Sequence, residues 1–193
     1  MRNIAIFASG SGTNAENIIK YFSNRKTARV RLVLSNKRDA LVLQRAAALN
    51  TDAIFFDQND FYVTGKVLSC LRQYEIDFIV LAGFLWLVPS DLINAYKERI
   101  VNIHPALLPL YGGKGMYGDA VHKAVILNNE PESGITIHYV NEHYDSGSII
   151  FQAKTPVFPD DTHDTLASRI HKLEYEFYPR IIEELALKLP PAT

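Results

Sequence analysis

The segment Ile4-Ala5-Ile6-Phe7-Ala8-Ser9-Gly10-Ser11-Gly12-Thr13-Asn14 sets the fold class of the chain. Its first five residues form a short apolar run that predicts a buried strand, and the glycines that follow predict a tight turn. Apolar residues at helical spacing then occupy residues 15–22. A strand, a glycine-rich turn and a helix in this order are typical of the first unit of a ligand-binding α/β sheet.

The same alternation continues through the first half of the chain. Further strands are predicted at residues 30–34, 53–56, 78–82 and 100–103, and further helices at residues 41–49, 62–74 and 91–96. Because alternating strands and helices require right-handed crossovers, the sheet should be mostly parallel.

After residue 110 the pattern changes to two strands with antiparallel character and two helices. The strands are predicted at residues 135–140 and 148–157, and the helices at residues 122–127 and 164–187. The last helix should bend or break at Pro179. The sequence therefore predicts one α/β domain over residues 1–193, with a Rossmann-like, mostly parallel open sheet, helices on both faces and antiparallel strands added in the C-terminal half.

Composition excludes several classes of protein. The chain has 193 residues, 48% of them hydrophobic and 21% charged, and a formal net charge of -1. A chain of this length buries about 70% of its unfolded surface and needs no disulfide or metal for stability. A single cysteine, Cys70, excludes an internal disulfide and a cysteine-rich metal site.

The expected partners follow from charge and hydropathy. The near-neutral charge predicts no nucleic-acid partner. There is no apolar stretch of about 20 residues and no signal-peptide pattern, so we expect a cytoplasmic protein without a membrane partner.

The glycine-rich turn, residues 9–14, is a candidate anion site, here called the glycine turn. Backbone N–H groups at a helix start attract anions, and the hydroxyls of Ser11 and Thr13 add donors. The alternative is a tight turn that binds nothing, but the carboxyl end of a parallel strand is where open sheets hold ligands. The turn matches neither G-x-G-x-x-G nor the P-loop, and no acidic residue stands about 20 positions on. A single phosphate group is therefore a better candidate than NAD or ATP.

A candidate catalytic pair lies in Val101-Asn102-Ile103-His104-Pro105. Residues two apart on a strand point to the same side, so Asn102 and His104 should project together. A carboxamide can stabilise a developing oxyanion, and an imidazole exchanges protons near neutral pH. The alternative is a buried polar pair satisfied by backbone groups.

Asp145, in a predicted turn, is the third candidate. If the turn folds over His104, the carboxylate should raise the pKa of the imidazole. His138 is a weaker candidate. The six histidines show no zinc-site spacing and no G-x-S-x-G motif is present, so we expect neither a metal site nor a hydrolase triad.

Residues 85–88, Leu-Trp-Leu-Val, follow the fourth predicted strand and are called the apolar wall. Large apolar residues after a strand end can line a flat pocket. The alternative is that they pack in the core, as most such residues do.

These motifs together resemble those of the folate-dependent formyltransferases, and among them the phosphoribosylglycinamide formyltransferases. The resemblance covers nearly the whole chain, and N-x-H-P-x-L-L-P is specific to these enzymes and their hydrolytic relatives. It rests on Ser9-Gly10-Ser11-Gly12-Thr13-Asn14, Leu81-Ala82-Gly83-Phe84, Asn102-Ile103-His104-Pro105 with Leu107-Leu108-Pro109, and Asp145-Ser146-Gly147.

The resemblance implies transfer of a formyl group from 10-formyltetrahydrofolate, as co-substrate, to the amine of 5'-phosphoribosylglycinamide. No tightly bound cofactor and no metal are implied, and the partners are small molecules, for a monomer or homodimer. Asn102 would stabilise the formyl oxyanion and His104 would be the general acid and proton shuttle. Asp145 would raise the pKa of His104 and order a water.

The resemblance also implies two substrate subsites, one in each half of the chain. The phosphate and ribonucleotide contacts would come from Ser11, Gly12, Thr13, Asn14, His171 and Glu174. The folate contacts would come from Leu85, Trp86, Leu87, Val88, Asn102, Asn141, Glu142, His143, Tyr144 and Asp145.

Two positions depart from the resemblance. Many members carry folate-contacting arginines where this chain has Trp86 and a residue near Asp60. Residues 111–117 form a longer loop than in some relatives, which predicts a lid over the ribonucleotide.

Three rival functions differ in the features they require. Formyltetrahydrofolate deformylase usually carries an extra N-terminal domain, which is not expected for a chain that starts at its first strand. Methionyl-tRNA formyltransferase needs an RNA-binding domain and a basic surface. The third is a non-enzymatic nucleotide-binding domain, against which the Asn-His-Asp set argues.

Overall fold

The computed structural model describes residues 1–190 and contains one seven-stranded sheet in the order β3-β2-β1-β4-β5-β6-β7. The strands are β1 (Arg2–Phe7), β2 (Ala28–Ser35), β3 (Asp52–Phe55), β4 (Phe78–Leu81), β5 (Ile100–His104), β6 (Glu132–Tyr139) and β7 (Ile149–Pro156). The helices are α1 (Thr13–Phe22), α2 (Leu41–Ala48), α3 (Gln58–Tyr62), α4 (Lys66–Gln73), α5 (Ser90–Ala95), α6 (Asp119–Leu127) and α7 (His163–Lys188).

The predicted fold class is confirmed. Strands β1 to β5 pair in parallel, whereas β6 and β7 join antiparallel at one edge. Residues of β1 alternate between two apolar cores: Ile4 and Ile6 pack with α1, α2, α6 and α7, and Ala5 and Phe7 pack with α3, α4 and α5. Because helices cover both faces, residues 4–7 of β1 are all apolar rather than alternating with polar residues.

The strand order reverses between β1 and β4. The chain leaves β1 toward β2 and β3 on one side, and leaves β4 toward β5 on the other. Connections that diverge in this way open a crevice at the carboxyl ends of the two strands. The glycine turn follows β1 and the apolar wall follows β4, so the topology places both at this crevice.

The predicted helix at residues 62–74 is found as α4, which begins at Lys66 and ends at Gln73, and a second short helix, α3, precedes it. Helix α3 is capped by the Asp57 side chain, which accepts a hydrogen bond from the Asp60 amide, and it ends at Tyr62. Gly65 then adopts φ 66° and begins α4. A left-handed residue cannot continue a right-handed helix, so Gly65 divides the apolar pattern into two elements.

Helix α7 is continuous from His163 to Lys188 and contains Pro179, so of the predicted bend or break at this residue the break does not occur. Proline lacks an N–H group and leaves the carbonyl of Tyr175, four residues earlier, without its helical partner. The side chain of Asn17 on α1 donates to this carbonyl at 2.9 Å. A tertiary hydrogen bond thus replaces the missing helical one and ties α7 to α1.

Candidate active site

A cleft of about 580 Å³ opens at the carboxyl edge of the sheet, where the topology reverses. It is lined by the glycine turn, the end of β5 and the apolar wall. Most predicted site residues line it, namely Ser11, Gly12, Thr13, Asn14, Leu85, Trp86, Leu87, Val88, Asn102, His104, Asn141, His143, Tyr144, Asp145, His171 and Glu174.

Glu142 does not line the cleft, and its side chain is exposed. It lies in the same turn as Asp145 but points away, so its predicted folate contact is not supported by position. The structure adds residues 113–118 and His122 to the lining. No local motif marked His122, which is brought in by the packing of α6.

The glycine turn is shaped by a close contact with α2. Gly12 has φ 77°, and a Cβ placed there would lie 2.4 Å from the Cβ of Val42. Arg45 of α2 donates through Nε to the Ser11 carbonyl at 2.9 Å. Only glycine fits at position 12, both for its backbone angle and for its distance from α2. The start of α1 therefore faces the cleft with free backbone donors, an arrangement suited to a phosphate.

Ser9 connects the glycine turn to the segment after β4. Its hydroxyl donates to Asn36 Oδ1 at 2.7 Å and accepts from the Leu85 amide at 3.1 Å. Its own amide donates to the Gly83 carbonyl at 2.9 Å. The two walls of the cleft are thus joined through one buried serine.

The apolar wall belongs partly to the core and partly to the cleft. Val88 is buried, while Trp86 is half-buried and packs against Phe56, Phe61 and Tyr62, each with ring centroids 6.0 Å away. Tyr62 donates its hydroxyl to the carbonyl of Leu87 at 2.9 Å. The segment therefore both packs in the core and lines the pocket. Its buried residues support the pocket, and its half-buried residues line it.

The region near Asp60 contributes no contact to the cleft. Asp60 pairs instead with Lys66 at 2.8 Å, and neither residue lines the cavity.

Asn102 and His104 project from β5 toward the turn that carries Asp145. His104 Nδ1 lies 3.5 Å from Asp145 Oδ2, and Asn102 Nδ2 lies 3.4 Å from Asp145 Oδ1. The register pairs Asn102 with His138 on β6, and the Asn102 amide donates to His138 Nε2 at 3.1 Å. These four side chains, Asn102, His104, His138 and Asp145, are called the His104 cluster.

Asp145 is the centre of this cluster. Burial alone would raise its pKa, but His138, His104 and the amide of Gly113 together lower it. The Gly113 N–H donates to Asp145 Oδ2 at 2.9 Å. The carboxylate therefore stays ionised well below neutral pH, because the hydrogen bonds and nearby imidazoles favour its charged form.

Asp145 raises the pKa of His104 as predicted, but the net shift of this pKa is downward. Its ring is 3% exposed, and burial lowers the pKa below the usual value. Asp145 and the Tyr111 carbonyl oppose that shift without reversing it. The sequence identified the charge beside His104 but not the extent of burial, which decides the sign here. His104 is therefore neutral near pH 7 and can accept a proton.

A second group of polar side chains lies at the other end of the cleft. Glu174 is 5% exposed, and its Oε2 accepts from Asn14 Nδ2 at 2.8 Å and pairs with His171 Nδ1 at 2.9 Å. This pairing raises the pKa of His171. His122, 2% exposed, has its pKa lowered by burial first and by His171 second.

The loop after β5 is held by side chains that no sequence pattern marked. Thr136 Oγ1 accepts from the Leu108 amide at 3.0 Å and donates to the Ala106 carbonyl at 2.7 Å. Gln152 Nε2 donates to Thr136 Oγ1 at 2.8 Å and to the Leu108 carbonyl at 3.0 Å. The antiparallel strands β6 and β7 thus support the position of His104.

Within residues 1–190, no group of three or more His, Cys, Asp or Glu side chains is arranged to hold a metal ion. Over the same residues, every helix is too short or too polar to cross a membrane.

Comparison with known proteins gives consistent matches. The family model described as formyl transferase matches residues 2–182. The chain is 38% identical over 187 residues to the chloroplastic phosphoribosylglycinamide formyltransferase of Arabidopsis thaliana, covering 94% of this chain and 64% of that protein. It thus spans less than two thirds of the plant relative. It is also similar to the phosphoribosylglycinamide formyltransferase of Bacillus subtilis, at 36% identity over 190 residues and 96% and 95% of the two chains.

The fold is also that of solved relatives. The crystal structure of phosphoribosylglycinamide formyltransferase from Bacillus halodurans superposes with a TM-score of 0.86 at 37% identity, and the match covers 97% of this chain and 96% of that one.

Proposed function

This chain belongs to the formyl transferase family, and from that premise we propose that it transfers the formyl group of 10-formyltetrahydrofolate to the amine of 5'-phosphoribosylglycinamide in purine synthesis. The observation that carries the proposal is that three groups line one cleft. They are the phosphate-type glycine turn, the apolar wall and the His104 cluster. The formyl carbon and the amine would therefore meet beside His104.

The ribonucleotide would bind at the glycine turn and the end of α7. The backbone N–H groups at the start of α1 would hold its phosphate, since helix starts bind anions. The buried carboxylate of Glu174, held by Asn14 and His171, would accept hydrogen bonds from ribose or glycinamide groups. Anion and acceptor sites side by side suit a molecule that carries a phosphate and several donors.

The folate would bind between the apolar wall and the turn at residues 141–145. Trp86 lines the cleft, and its ring and that of the neighbouring Tyr62, whose planes differ by 33°, form an aromatic surface beside it. We infer that this surface contacts the aromatic part of the folate where other members use arginine. Binding would then depend more on stacking than on ion pairing with the tail.

The transfer requires one proton to move from the attacking amine to the leaving nitrogen. The amine attacks the formyl carbon, a C–N bond forms, and the carbonyl electrons become an oxyanion. Neutral His104 would accept the proton from the amine and return it to N10 of the folate as that C–N bond breaks. Asp145, ionised beside it, would stabilise the imidazolium between these steps and order a water in the site.

Asn102 would donate a hydrogen bond to the oxyanion. Its amide is directed to His138 and Asp145. The contact to Asp145, at 3.4 Å, is the longer of the two and is the one we expect to yield to the formyl oxygen. Holding both substrates at attack distance supplies about 7–11 kcal/mol toward the barrier, and one oxyanion donor about 3–4 kcal/mol.

The test follows deformylation of a 10-formyl folate by absorbance, with and without 5'-phosphoribosylglycinamide. We expect turnover that requires the ribonucleotide and that collapses in His104→Ala. His163→Ala is the matched control, because His163 lies at the start of α7 and does not line the cleft. Turnover without the ribonucleotide would assign the protein to the deformylases instead. Phosphate-ligand binding without any turnover would leave a binding domain, and the catalytic roles above would be wrong.

A further inference from the structure

One three-residue stretch, the 111–113 segment, supplies a backbone group to each member of the His104–Asp145 pair. The Tyr111 carbonyl lies 2.8 Å from His104 Nε2, and the Gly113 amide donates to Asp145 Oδ2 at 2.9 Å. A Cβ at Gly112 would lie 2.6 Å from Leu108 Cδ2 and 3.2 Å from Asp145 Cβ. The segment thus runs so close to the pair that its central residue has no room for a side chain.

Tyr111 holds an unusual backbone conformation for its residue type. Its φ is 57°, in the left-handed region that bulky residues avoid. Glycine adopts this angle without cost, and asparagine with little. Such strain persists only where the surrounding structure enforces it. The tyrosine side chain must therefore supply something that glycine cannot.

The side chain of Tyr111 anchors the segment to the end of α6. Its hydroxyl donates to Glu130 Oε1 at 2.7 Å and accepts from Asn128 Nδ2 at 2.8 Å. The ring packs against the apolar core beneath α6 and α7. Two hydrogen bonds and a packed ring thus fix the direction of the Tyr111 carbonyl, which is the group that His104 contacts.

We propose that Tyr111 is a positioning residue for His104: its anchored carbonyl keeps the proton on Nε2, so that Nδ1, facing Asp145, is the nitrogen that exchanges protons. A carbonyl can only accept, so the 2.8 Å contact requires Nε2 to carry hydrogen. In neutral imidazole the other nitrogen is then unprotonated. The role in turnover rests on the proposed formyl transfer, whereas the tautomer does not.

Loss of this contact should change the proton affinity of His104 in a defined direction. The groups that act on its charge are Asp145 and the Tyr111 carbonyl, which raise its pKa, and His138, which lowers it. Glu174 adds a weaker upward effect. Freeing the Tyr111 carbonyl removes one stabilising contact of the imidazolium, so the pKa of His104 should fall further below its usual value.

Tyr111→Gly removes the side chain that anchors the segment but allows the same backbone angle. Glycine adopts φ 57° without strain, so the carbonyl can still reach His104, but the segment loses its tie to α6. Glu130→Ala removes the acceptor alone, whereas Glu130→Gln keeps an oxygen for the tyrosine hydroxyl and should restore function. Tyr21→Phe is the matched control, because Tyr21 also donates to a glutamate, Glu183, at 2.7 Å but lies outside the cleft.

We expect kcat to fall about ten- to a hundredfold in Tyr111→Gly with a smaller change in KM, since a small displacement of a catalytic group costs rate rather than binding. In the pH profile of kcat, the limb that reflects protonation of His104 should move to lower pH. Glu130→Ala should behave similarly but more mildly, and Glu130→Gln and Tyr21→Phe should match the parent protein.

Nitrogen-15 NMR of the substrate-free protein gives a test that needs no turnover. Neutral His104 should carry its proton on Nε2 in the parent protein and populate both tautomers in Tyr111→Gly. A proton on Nδ1 in the parent, or unchanged kcat and pH profile in both Tyr111→Gly and Glu130→Ala, would overturn the proposal. Because the tautomer is read without substrate, failure of the formyl-transfer assay alone would leave this result standing on its own.

Discussion

The two halves of the cleft are built in different ways. The glycine turn is a continuous stretch of chain that offers backbone donors, and its shape depends on one glycine against α2. The His104 cluster draws side chains from β5, from β6 and from the turn after β6, and its two histidines are buried. The glycine turn can be predicted from residues that are neighbours in the sequence. The His104 cluster forms only when the strands of the sheet pair in the correct register.

This difference extends to electrostatics. At the glycine turn the helix start attracts an anion whatever the protonation of nearby groups. In the His104 cluster burial and neighbouring charges oppose each other, and the outcome is a neutral histidine beside an ionised aspartate. Changes at the two ends should therefore affect different kinetic constants, and the predictions below separate them.

The largest effect should follow Asp145→Asn, which keeps the shape of the side chain and removes its charge. Without the carboxylate, the imidazolium of His104 loses its stabilising partner, so kcat should fall by about 10²–10⁴, the range for proton-transfer groups. The KM for the ribonucleotide should change little, because the glycine turn is untouched. Steady-state kinetics with each substrate varied in turn measures both.

Glu142→Gln is the matched control for this prediction, since Glu142 belongs to the same turn but points away from the cleft. It should leave kcat and both KM values near those of the parent. A loss comparable to that of Asp145→Asn would mean that the charge of the whole turn, rather than the contact with His104, supports turnover.

Gly12→Ala should have a smaller effect, and this effect should be on KM rather than on kcat. The new Cβ meets the Val42 side chain at 2.4 Å and the backbone must hold φ 77°, so the turn has to move. We expect the KM for the ribonucleotide to rise about tenfold or more. A backbone hydrogen bond to a charged group such as a phosphate is worth roughly 1.5–3 kcal/mol. The change in kcat should be smaller.

Gly65→Ala separates the cost of a strained backbone angle from the cost of a steric clash. Gly65 has φ 66° with nothing within 4 Å of an added Cβ. Its cost, about 1–2 kcal/mol of unfolding free energy, measures the backbone angle alone. Denaturant unfolding of Gly12→Ala should show a larger loss. Equal losses would mean that Val42 yields easily and that the fit at position 12 is less tight than its geometry indicates.

The fold was largely predictable, because it follows from patterns that are local. The strand–turn–helix unit at the start of the chain and the switch to antiparallel strands both depend on neighbouring residues. Gly65 was the exception, since apolar spacing continues across it although α3 has already ended at Tyr62 and α4 begins only after Gly65.

The residues that line the candidate site were largely predictable from the sequence. The pKa shift of His104 and the contacts of Tyr111 were not. Asn102 and His104 followed from strand periodicity, and Asp145 from its turn and the family resemblance. The sign of the His104 pKa shift did not follow, because burial is a property of the assembled core. Nor did the role of Tyr111, whose contacts with His104 and Glu130 join separate elements.

Ser9→Ala tests whether the two ends of the cleft are mechanically joined. Removing the hydroxyl leaves the Asn36 side chain and the Leu85 amide without their partner in a buried place, which costs about 1–3 kcal/mol of unfolding free energy. Both KM values should rise together by a few fold, because the serine touches the glycine turn and the apolar wall. Ser23→Ala, an exposed serine that donates to the Lys20 carbonyl, is the control for loss of a hydroxyl. A rise in only one KM would mean that the two ends move independently.

The smallest effect concerns acid stability and compares the histidines at the two ends. His104 and His122 have lowered pKa values in the folded protein, so the unfolded chain binds their protons first. Their contribution to stability is present above the unfolded pKa of about 6.5 and is lost as pH falls below it. His171, whose pKa is raised, contributes below that pH and loses its contribution as pH rises. Because burial lowers the pKa of both His104 and His122, we expect thermal melts to show a lower Tm at pH 5.5 than at pH 7.5, a window above the titration of the carboxylates. His122→Gln should flatten this dependence and His171→Gln should steepen it. Equal slopes in all three proteins would mean that neither His122 nor His171 sets the pH dependence of stability.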